Sequence, residues 1–148
     1  VSYRQATRFA AFSQARLPTE IEWEKAAAWN VKRGQRNTYP WGPAPVPEWA
    51  NTLEYWSAHD EKAHATAVGQ FRRDKSPYGC YDMGGNVQEW VSQGNDDLDT
   101  QTVKGGCYLN RQAAATSARR EMRGAGVTRE QVGFRCVRDL APGDQPDP

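Results

Sequence analysis

Two segments near the start of the chain place apolar residues at the spacing of amphipathic helices. Between positions 3 and 13 such residues fall mostly three or four apart, which predicts a first helix. They are Tyr3, Ala6, Phe9, Ala10 and Phe12. Thr19 and Glu22 form the signature of a capping box, so we expect a second helix from there to about Trp29. Its apolar face would consist of Ile21, Trp23, Ala27 and Ala28.

The middle of the chain lacks regular periodicity. Residues 39–47 are rich in proline and aromatic residues, and proline excludes a helix because it lacks an amide donor and fixes φ. We expect a long ordered loop held by buried Trp side chains. Ordering such a loop costs conformational entropy, and long ordered loops are common at functional sites.

Short strands are predicted in the second half of the chain. Their composition favours residues 68–71, 86–92, 102–108 and 132–137. In the last of these segments the residues alternate, and this predicts that Val132, Phe134 and Cys136 share the inward face.

Composition limits the kinds of protein and partner that the sequence allows. The chain has 148 residues, enough for one domain, and its six Trp, six Tyr and four Phe exclude a disordered chain. The net charge of +1 indicates no nucleic-acid partner, and the absence of an apolar run of about 20 residues indicates no membrane partner. We expect one domain over residues 1–140 and a disordered tail over 141–148. Because the chain begins at Val1, we also expect that an N-terminal part is missing.

Six short motifs follow one another in a fixed order. They are Arg16-Leu17-Pro18-Thr19-Glu20-x-Glu22-Trp23-Glu24, Tyr39-Pro40-Trp41-Gly42, Ala50-Asn51-Thr52, Gly79-x-Tyr81-Asp82-Met83-x-Gly85-Asn86-Val87-x-Glu89-Trp90, Lys104-Gly105-Gly106 and Val132-Gly133-Phe134-Arg135. This set resembles the C-terminal portion of the formylglycine-generating enzyme family, also called sulfatase-modifying factor domains. The resemblance implies an α+β, C-type lectin-like fold with short twisted β-sheets, two helices and much ordered loop.

The resemblance also implies two structural calcium sites. The ligands of the first would be the side chains of Asp82 and Glu89 and the carbonyls of Gly85 and Val87. Those of the second would be Asn51, the Thr52 carbonyl, Asp60 and the Lys62 carbonyl. Oxygen donors of this kind suit calcium, and glycines permit the tight turns that aim carbonyls inward. The alternatives are that Asp82 and Asn51 cap turns and that Asp60 lies in solvent.

The copper site of the family's oxidases is not retained in this sequence. Those enzymes use two cysteines five residues apart, because copper(I) prefers soft thiolate ligands. The corresponding positions here are Asn110 and Ala115, and Gln88 replaces a Trp that usually lines the substrate groove. We therefore expect no copper and no cysteine oxidation of the family type.

The cysteines and histidines permit simple interpretations. Cys107 is a candidate exposed thiol. The sequence leaves open whether Cys80 and Cys136 form a disulfide. His59 and His64 lie five residues apart, a poor helical spacing for a metal, and we expect them in solvated loops.

Residues 111–138 contain seven arginines and two glutamates. One interpretation is a basic rim for an anionic partner. The other is that these arginines brace carboxylates elsewhere in the fold, for which the acidic residues 95–99 are available.

The resemblance and the missing cysteines favour a non-catalytic module that binds a protein or other ligand on a calcium-stabilised scaffold. Its binding face would be the groove around Gln88, Tyr108, Asn110, Arg111 and Arg119. One form of this hypothesis is the variable protein of a diversity-generating retroelement, with variation in residues 107–131. The alternatives are a divergent formylglycine-generating oxidase, the accessory domain of an iron-dependent oxidoreductase, or a structural piece completed by a missing N-terminal segment or chain.

Overall fold

Short elements joined by long ordered loops make up residues 1–140, the part of the chain that the computed structural model describes. The helices are α1 (Tyr3–Phe12), α2 (Glu20–Ala28) and α3 (Leu53–Ala58). The strands are β1 (Trp29–Asn30), β2 (Gln35–Arg36), β3 (Gln88–Val91), β4 (Thr100–Lys104), β5 (Arg120–Gly124) and β6 (Val132–Phe134). The predicted tail, residues 141–148, lies outside the described residues. Within residues 1–140, no helix has the length and apolar character needed to cross a membrane.

The two N-terminal helices begin with capping boxes. The Glu22 amide donates to Thr19 Oγ1 at 3.2 Å, and the Thr19 amide donates to Glu22 Oε2 at 2.8 Å, as predicted. Ser2 and Gln5 make the same reciprocal contacts at the start of α1. Both helices therefore start where side chains satisfy amides that have no partner within the helix.

One residue of α2 is placed differently from the prediction. Ile21 is 80% exposed, whereas Trp23, Ala27 and Ala28 are buried. Because each helical residue turns the side chain by about 100°, Ile21 lies almost opposite Trp23 on the helix. The expectation that Ile21 belongs to the buried face is therefore wrong.

Four strands form the central sheet in the order β5-β4-β3-β6. The β3–β4 and β4–β5 pairs are antiparallel, and β3–β6 is parallel. Three predicted strands are confirmed, each shorter than expected. The predicted strand at residues 68–71 is wrong: Gly69 has φ +70° and Val68 is 89% exposed in a loop. The pair β1–β2 forms a separate small sheet.

The core lies on both faces of β3. Trp90 packs with Tyr3, Ala6 and other residues against α1, and its ring meets Tyr3 edge to face at 5.7 Å. The next residue, Val91, packs with Trp23 and the alanines of α2. Consecutive strand residues point to opposite faces, so β3 anchors one helix on each side.

The aromatic loop is ordered by its own side chains. Trp41 stacks on Tyr39 at 5.2 Å and donates from Nε1 to the Ala44 carbonyl at 2.9 Å. Helix α3 follows and buries Trp56. Sequence periodicity did not predict α3, because a six-residue helix is too short to show it.

Candidate functional site

A pocket of about 470 Å³ opens beside the glycine-rich turn that leads into β3. Its wall includes Tyr81, Asp82, Asn86, Val87, Glu89, Phe134 and Arg135. Asp82 has φ +59°, and its Oδ2 accepts the Gly69 amide at 2.6 Å. Its Oδ1 is buried and accepts no hydrogen bond from the described residues. Burial raises the pKa of Asp82, although the Gly69 amide and Arg135 act to lower it.

Glu89 is the second carboxylate of this pocket. Arg135 donates to both of its oxygens, from Nε at 2.6 Å and from Nη2 at 2.7 Å, and Trp23 Nε1 donates at 2.6 Å. Burial alone would lower the pKa of Arg135, but the Glu89 carboxylate raises it above its usual value. The pair therefore joins β3 to the chain that leaves β6.

The turn between the two carboxylates is held by a residue that the sequence motifs did not indicate. Asp74 is fully buried and accepts the amides of Gly84 and Gly85 at 3.0 to 3.1 Å. Burial raises the pKa of Asp74 to about 7. No spacing or motif in the sequence signals this contact, because the loop that carries Asp74 is irregular.

The first predicted calcium site agrees in part with this geometry. Asp82 offers a buried, unpartnered oxygen. Glu89 Oε1 accepts one hydrogen bond and keeps a second lone pair, whereas Oε2 already accepts two, from Trp23 and Arg135. No cluster of three or more His, Cys, Asp or Glu side chains that could hold a metal occurs within residues 1–140. A calcium ion here would therefore need the carbonyls of Gly85 and Val87, and the site stays a prediction.

The second predicted calcium site offers fewer free oxygens. Asn51 is buried, its Oδ1 accepts Trp56 Nε1 at 2.6 Å, and its Nδ2 donates to the His64 carbonyl at 3.0 Å. Asp60 is exposed, and the Lys62 carbonyl accepts from His64 Nδ1 at 3.0 Å. The side chain of Asn51 thus fastens α3 to the following loop, and calcium at this position also stays a prediction.

A second polar cluster spans β3 and β5, and we call it the guanidinium cluster (Gln88, Arg119, Glu121 and Arg123). The buried Gln88 accepts from Arg123 Nη2 at 2.7 Å and donates to Glu121 Oε2 at 3.1 Å. Glu121 also pairs with Arg123 at 2.9 Å and with Arg119 at 3.2 Å. Two guanidinium groups share one carboxylate, so the cluster has a surplus positive charge. Arg123 Nε is buried and lacks a hydrogen-bond partner in the described part of the chain.

The structure brings only some of the predicted binding residues together. Gln88 and Arg119 both belong to the guanidinium cluster through Glu121. Tyr108 is buried, and its amide donates to the Asn86 carbonyl at 3.0 Å. Asn110 Oδ1 accepts the Cys107 amide at 3.2 Å, and Arg111 is exposed. Sequence reasoning missed Glu121 and Arg123 as site residues, although both lie in the arginine-rich stretch.

The two positions of the oxidase cysteines do not fit copper(I). Asn110 uses its side-chain oxygen to bind a backbone amide, and Ala115 is fully buried. Cys107 is a single buried thiol whose pKa is raised by burial, although Arg119 and Arg123 act to lower it. The expectation of an exposed Cys107 is therefore wrong.

The structure answers the open question of a Cys80–Cys136 disulfide and contradicts the inward face predicted for Cys136. All three cysteines are free, so Cys80 and Cys136 form no disulfide. Cys136 is exposed, because β6 ends at Phe134 and the alternation of that strand stops there.

Four of the seven arginines of residues 111–138 pair with glutamates, and within residues 1–140 none of the seven pairs with the acidic stretch 95–99. Arg135 binds Glu89, Arg119 and Arg123 bind Glu121, and Arg120 lies 3.4 Å from Glu20. Asp96 instead accepts the hydroxyl of Tyr3. These four arginines do brace carboxylates, but the available acidic residues 95–99 are not their partners.

The two histidines are exposed, as expected. The ring of His59 packs on Tyr55 at 4.2 Å, and that of His64 packs on Trp56 at 4.1 Å.

Comparison with known proteins identifies the family. The sequence model of the sulfatase-modifying factor enzyme 1-like domain matches residues 1–140. The chain belongs to this family. The match agrees with the resemblance carried by the six motifs.

Relatives of this sulfatase-modifying factor domain differ in activity. The inactive C-alpha-formylglycine-generating enzyme 2 of Bos taurus is 31% identical, over 93% of this chain and 48% of that protein. The hercynine oxygenase of Mycolicibacterium thermoresistibile is 41% identical over 92 residues, which are 62% of this chain and 20% of that protein. The chain therefore spans half or less of the length of these relatives, in agreement with a match to the C-terminal portion of the family's domains.

Solved structures confirm the predicted α+β, C-type lectin-like fold. PvdO of Pseudomonas aeruginosa has a TM-score of 0.76 at 23% identity, over 95% of this chain and 60% of that chain. The Treponema denticola variable protein 1 has a TM-score of 0.63 at 22% identity, over 81% of this chain and 46% of that chain. At these identities the likeness concerns the fold alone.

Proposed function

We propose that this sulfatase-modifying factor domain is a non-catalytic binding module whose ligand contacts the guanidinium cluster. The observation that carries the proposal is the surplus positive charge of two guanidinium groups that share one carboxylate, with 27% of the Arg119 side chain and 21% of the Arg123 side chain exposed. An anionic group on a protein or other ligand suits this cluster.

The donor chemistry supports a role without cysteine oxidation. An amide and a methyl group, from Asn110 and Ala115, stand where the oxidases carry thiolates, and neither is a ligand for copper(I). Cys107 is the one thiol beside the guanidinium cluster among the described residues, and it is buried.

A direct assay tests the absence of oxidase activity. The protein is incubated with copper and a cysteine-containing peptide of the sulfatase type, and the peptide is analysed by mass spectrometry. We expect the thiol to remain. Its conversion to an aldehyde would contradict the proposal.

The binding role is tested by affinity capture with the intact protein and two variants. Arg123→Gln removes one of the two guanidinium groups of the cluster, and Arg4→Gln removes an exposed guanidinium on α1 as the control. We expect Arg123→Gln to lose partners that the wild type and Arg4→Gln retain. Equal capture by all three proteins would place the binding face elsewhere.

We further propose a structural calcium ion at the Asp82 pocket. Asp82 Oδ1, the Glu89 carboxylate and the carbonyls of Gly85 and Val87 would hold it. The support is the unpartnered buried oxygen of Asp82. The ion would supply positive charge between the glycine-rich turn and β3.

One form of the binding module is the variable protein of a diversity-generating retroelement. Three members of the guanidinium cluster, Arg119, Glu121 and Arg123, lie within the stretch 107–131 that would vary. Sibling gene copies provide the test. Differences confined to this stretch support the hypothesis, and differences spread over the whole chain contradict it.

A second candidate function is the accessory domain of an iron-dependent oxidoreductase. It is favoured by the 40–41% identity to three hercynine oxygenases over 62% of this chain. No group of three or more His, Cys, Asp or Glu side chains within residues 1–140 could hold a metal, so the iron ligands would come from another part of a longer protein. Calorimetric titration of hercynine into the full-length protein, with histidine as the control titrant, tests this candidate. Binding of hercynine alone supports it, and no binding contradicts it.

A further inference from the structure

An apolar strip lies on the surface where α2 meets the small β1–β2 sheet. Ile21 is 80% exposed, Val31 68%, Tyr78 47% and Trp29 39%. We call these four residues the Trp29 surface. Single exposed apolar residues are ordinary in folded proteins, but a continuous group of large ones marks a contact surface.

Two adjoining pockets give this surface its shape, and Trp29 lies between them. The first has a volume of about 420 Å³ and is lined by Ile21, Lys25, Trp29 and Arg36, among others. The second, of about 310 Å³, is lined by Trp29, Val31, Lys32 and Tyr78, among others. Each pocket is wide enough for a bulky apolar side chain, and anchoring side chains of this kind dominate binding at protein interfaces.

The rim of the Trp29 surface carries a surplus of positive charge. Lys25 and Lys32 are exposed and form no ion pair within residues 1–140. Glu24 also borders the first pocket, but the buried Lys104 binds it at 2.6 Å and Arg36 lies at 3.3 Å. The charge of Glu24 is therefore already matched inside the protein, and the two lysines remain available.

Packing of the fold does not account for the exposure of these side chains. The buried face of α2 consists of Trp23, Ala27 and Ala28, so neither Ile21 nor Trp29 contributes to the core clusters. A polar residue at position 21 would leave the core of the protein unchanged. An exposed Ile at this position therefore favours a role in binding.

We propose that the Trp29 surface binds an acidic segment of a partner protein, which inserts bulky apolar side chains into the two pockets. The lysines attract the acidic residues of that segment, and Trp29 separates its two anchors. Charge complementarity of this kind raises the association rate and selects the partner. The Trp29 surface shares no residue with the guanidinium cluster, so the inference does not depend on the proposed function.

The test is selection of random-sequence peptides displayed on phage, with the intact protein as bait. We expect enrichment of peptides that combine Asp or Glu with Leu, Phe or Trp. Binding of the enriched peptides, measured by fluorescence polarisation, should weaken by about tenfold in Ile21→Ser, the size typical of a lost anchor contact. It should also weaken as salt is added, because the lysines are exposed.

Phe12→Ser is the matched control, since Phe12 is an equally exposed apolar residue on a different helix, at 87%. Its affinity for the peptides should equal that of the wild type. Enrichment of neutral or basic peptides, or no enrichment, would overturn the proposal. So would equal binding to Ile21→Ser, or self-association of the protein that Ile21→Ser abolishes, since a second copy would then be the occupant.

Discussion

Glu22 illustrates how much a single residue contributes at the start of α2. Its carboxylate accepts the Thr19 amide at 2.8 Å and both terminal nitrogens of Arg16 at 2.7 Å. Arg16 first, and then the Thr19 amide, hold the pKa of Glu22 at about 2, below its ordinary value of 4.5.

This shift predicts a loss of stability in acid. The lowered pKa means that the contribution of Glu22 is fully present above pH 4.5 and is lost as the pH falls towards 2. Because the side chain is 44% exposed, we expect a loss of about 1 kcal/mol or less. Urea unfolding at a series of pH values measures it. Glu22→Gln should remove this part of the pH dependence, whereas Glu61→Gln, at an exposed loop position, should leave it unchanged.

A second residue-scale prediction concerns the close approach of two loops at Gly85. A Cβ on Gly85 would lie 2.5 Å from the Asn51 carbonyl oxygen, a backbone atom that cannot move away by itself. Gly85→Ala should lower the free energy of unfolding by about 1–3 kcal/mol through overpacking. Gly126→Ala is the control, because nothing lies within 4 Å of a Cβ at that position. Equal stabilities of the two variants in urea unfolding would contradict the close approach.

At the scale of elements, the Glu89–Arg135 pair joins β3 to the segment after β6. Glu89 is almost fully buried, with 7% of its side chain exposed. Removing the guanidinium would leave a buried carboxylate with only the Trp23 indole as a partner. Arg135→Gln should therefore lower the free energy of unfolding by about 3 kcal/mol.

A double-mutant cycle checks this pair. Glu89→Gln combined with Arg135→Gln should cost less than the sum of the single changes, since no unpaired charge remains. Additive losses would show that the two side chains contribute independently. Arg120→Gln serves as the comparison, because Arg120 is 55% exposed and its pair with Glu20 is worth less than about 1 kcal/mol.

At the scale of the whole molecule, the calcium proposal makes a clear prediction. An ion that binds only the folded state raises stability by mass action, so the melting temperature should rise by several degrees from EDTA to millimolar calcium. Asp82→Asn should remove the rise, and Asp60→Asn should retain it if the first site alone binds calcium. A melt of the wild type that is indifferent to calcium would contradict both sites.

Local interactions explain what the sequence alone determined. The capping box of Thr19 and Glu22 placed the start of α2, and composition located β3, β4 and β6, with alternation noted for β6 alone. The six motifs indicated the family and its fold, which the family match over residues 1–140 confirms. These features depend on neighbours in sequence or on motifs that occur in a fixed order in one chain, so they are visible without a structure.

Tertiary structure decided which side chains meet. Asp74 holds a turn ten residues away, Arg135 pairs with a carboxylate 46 residues away, and Gln88 meets Arg123 at a separation of 35. No periodicity encodes such contacts, because they depend on how the loops pack around β3. For the same reason the sequence placed Ile21 in the core and Cys136 on an inward face, whereas packing left both exposed. The start of α2 and the positions of β3, β4 and β6 were thus local information, and the composition of both polar clusters was set by long-range packing.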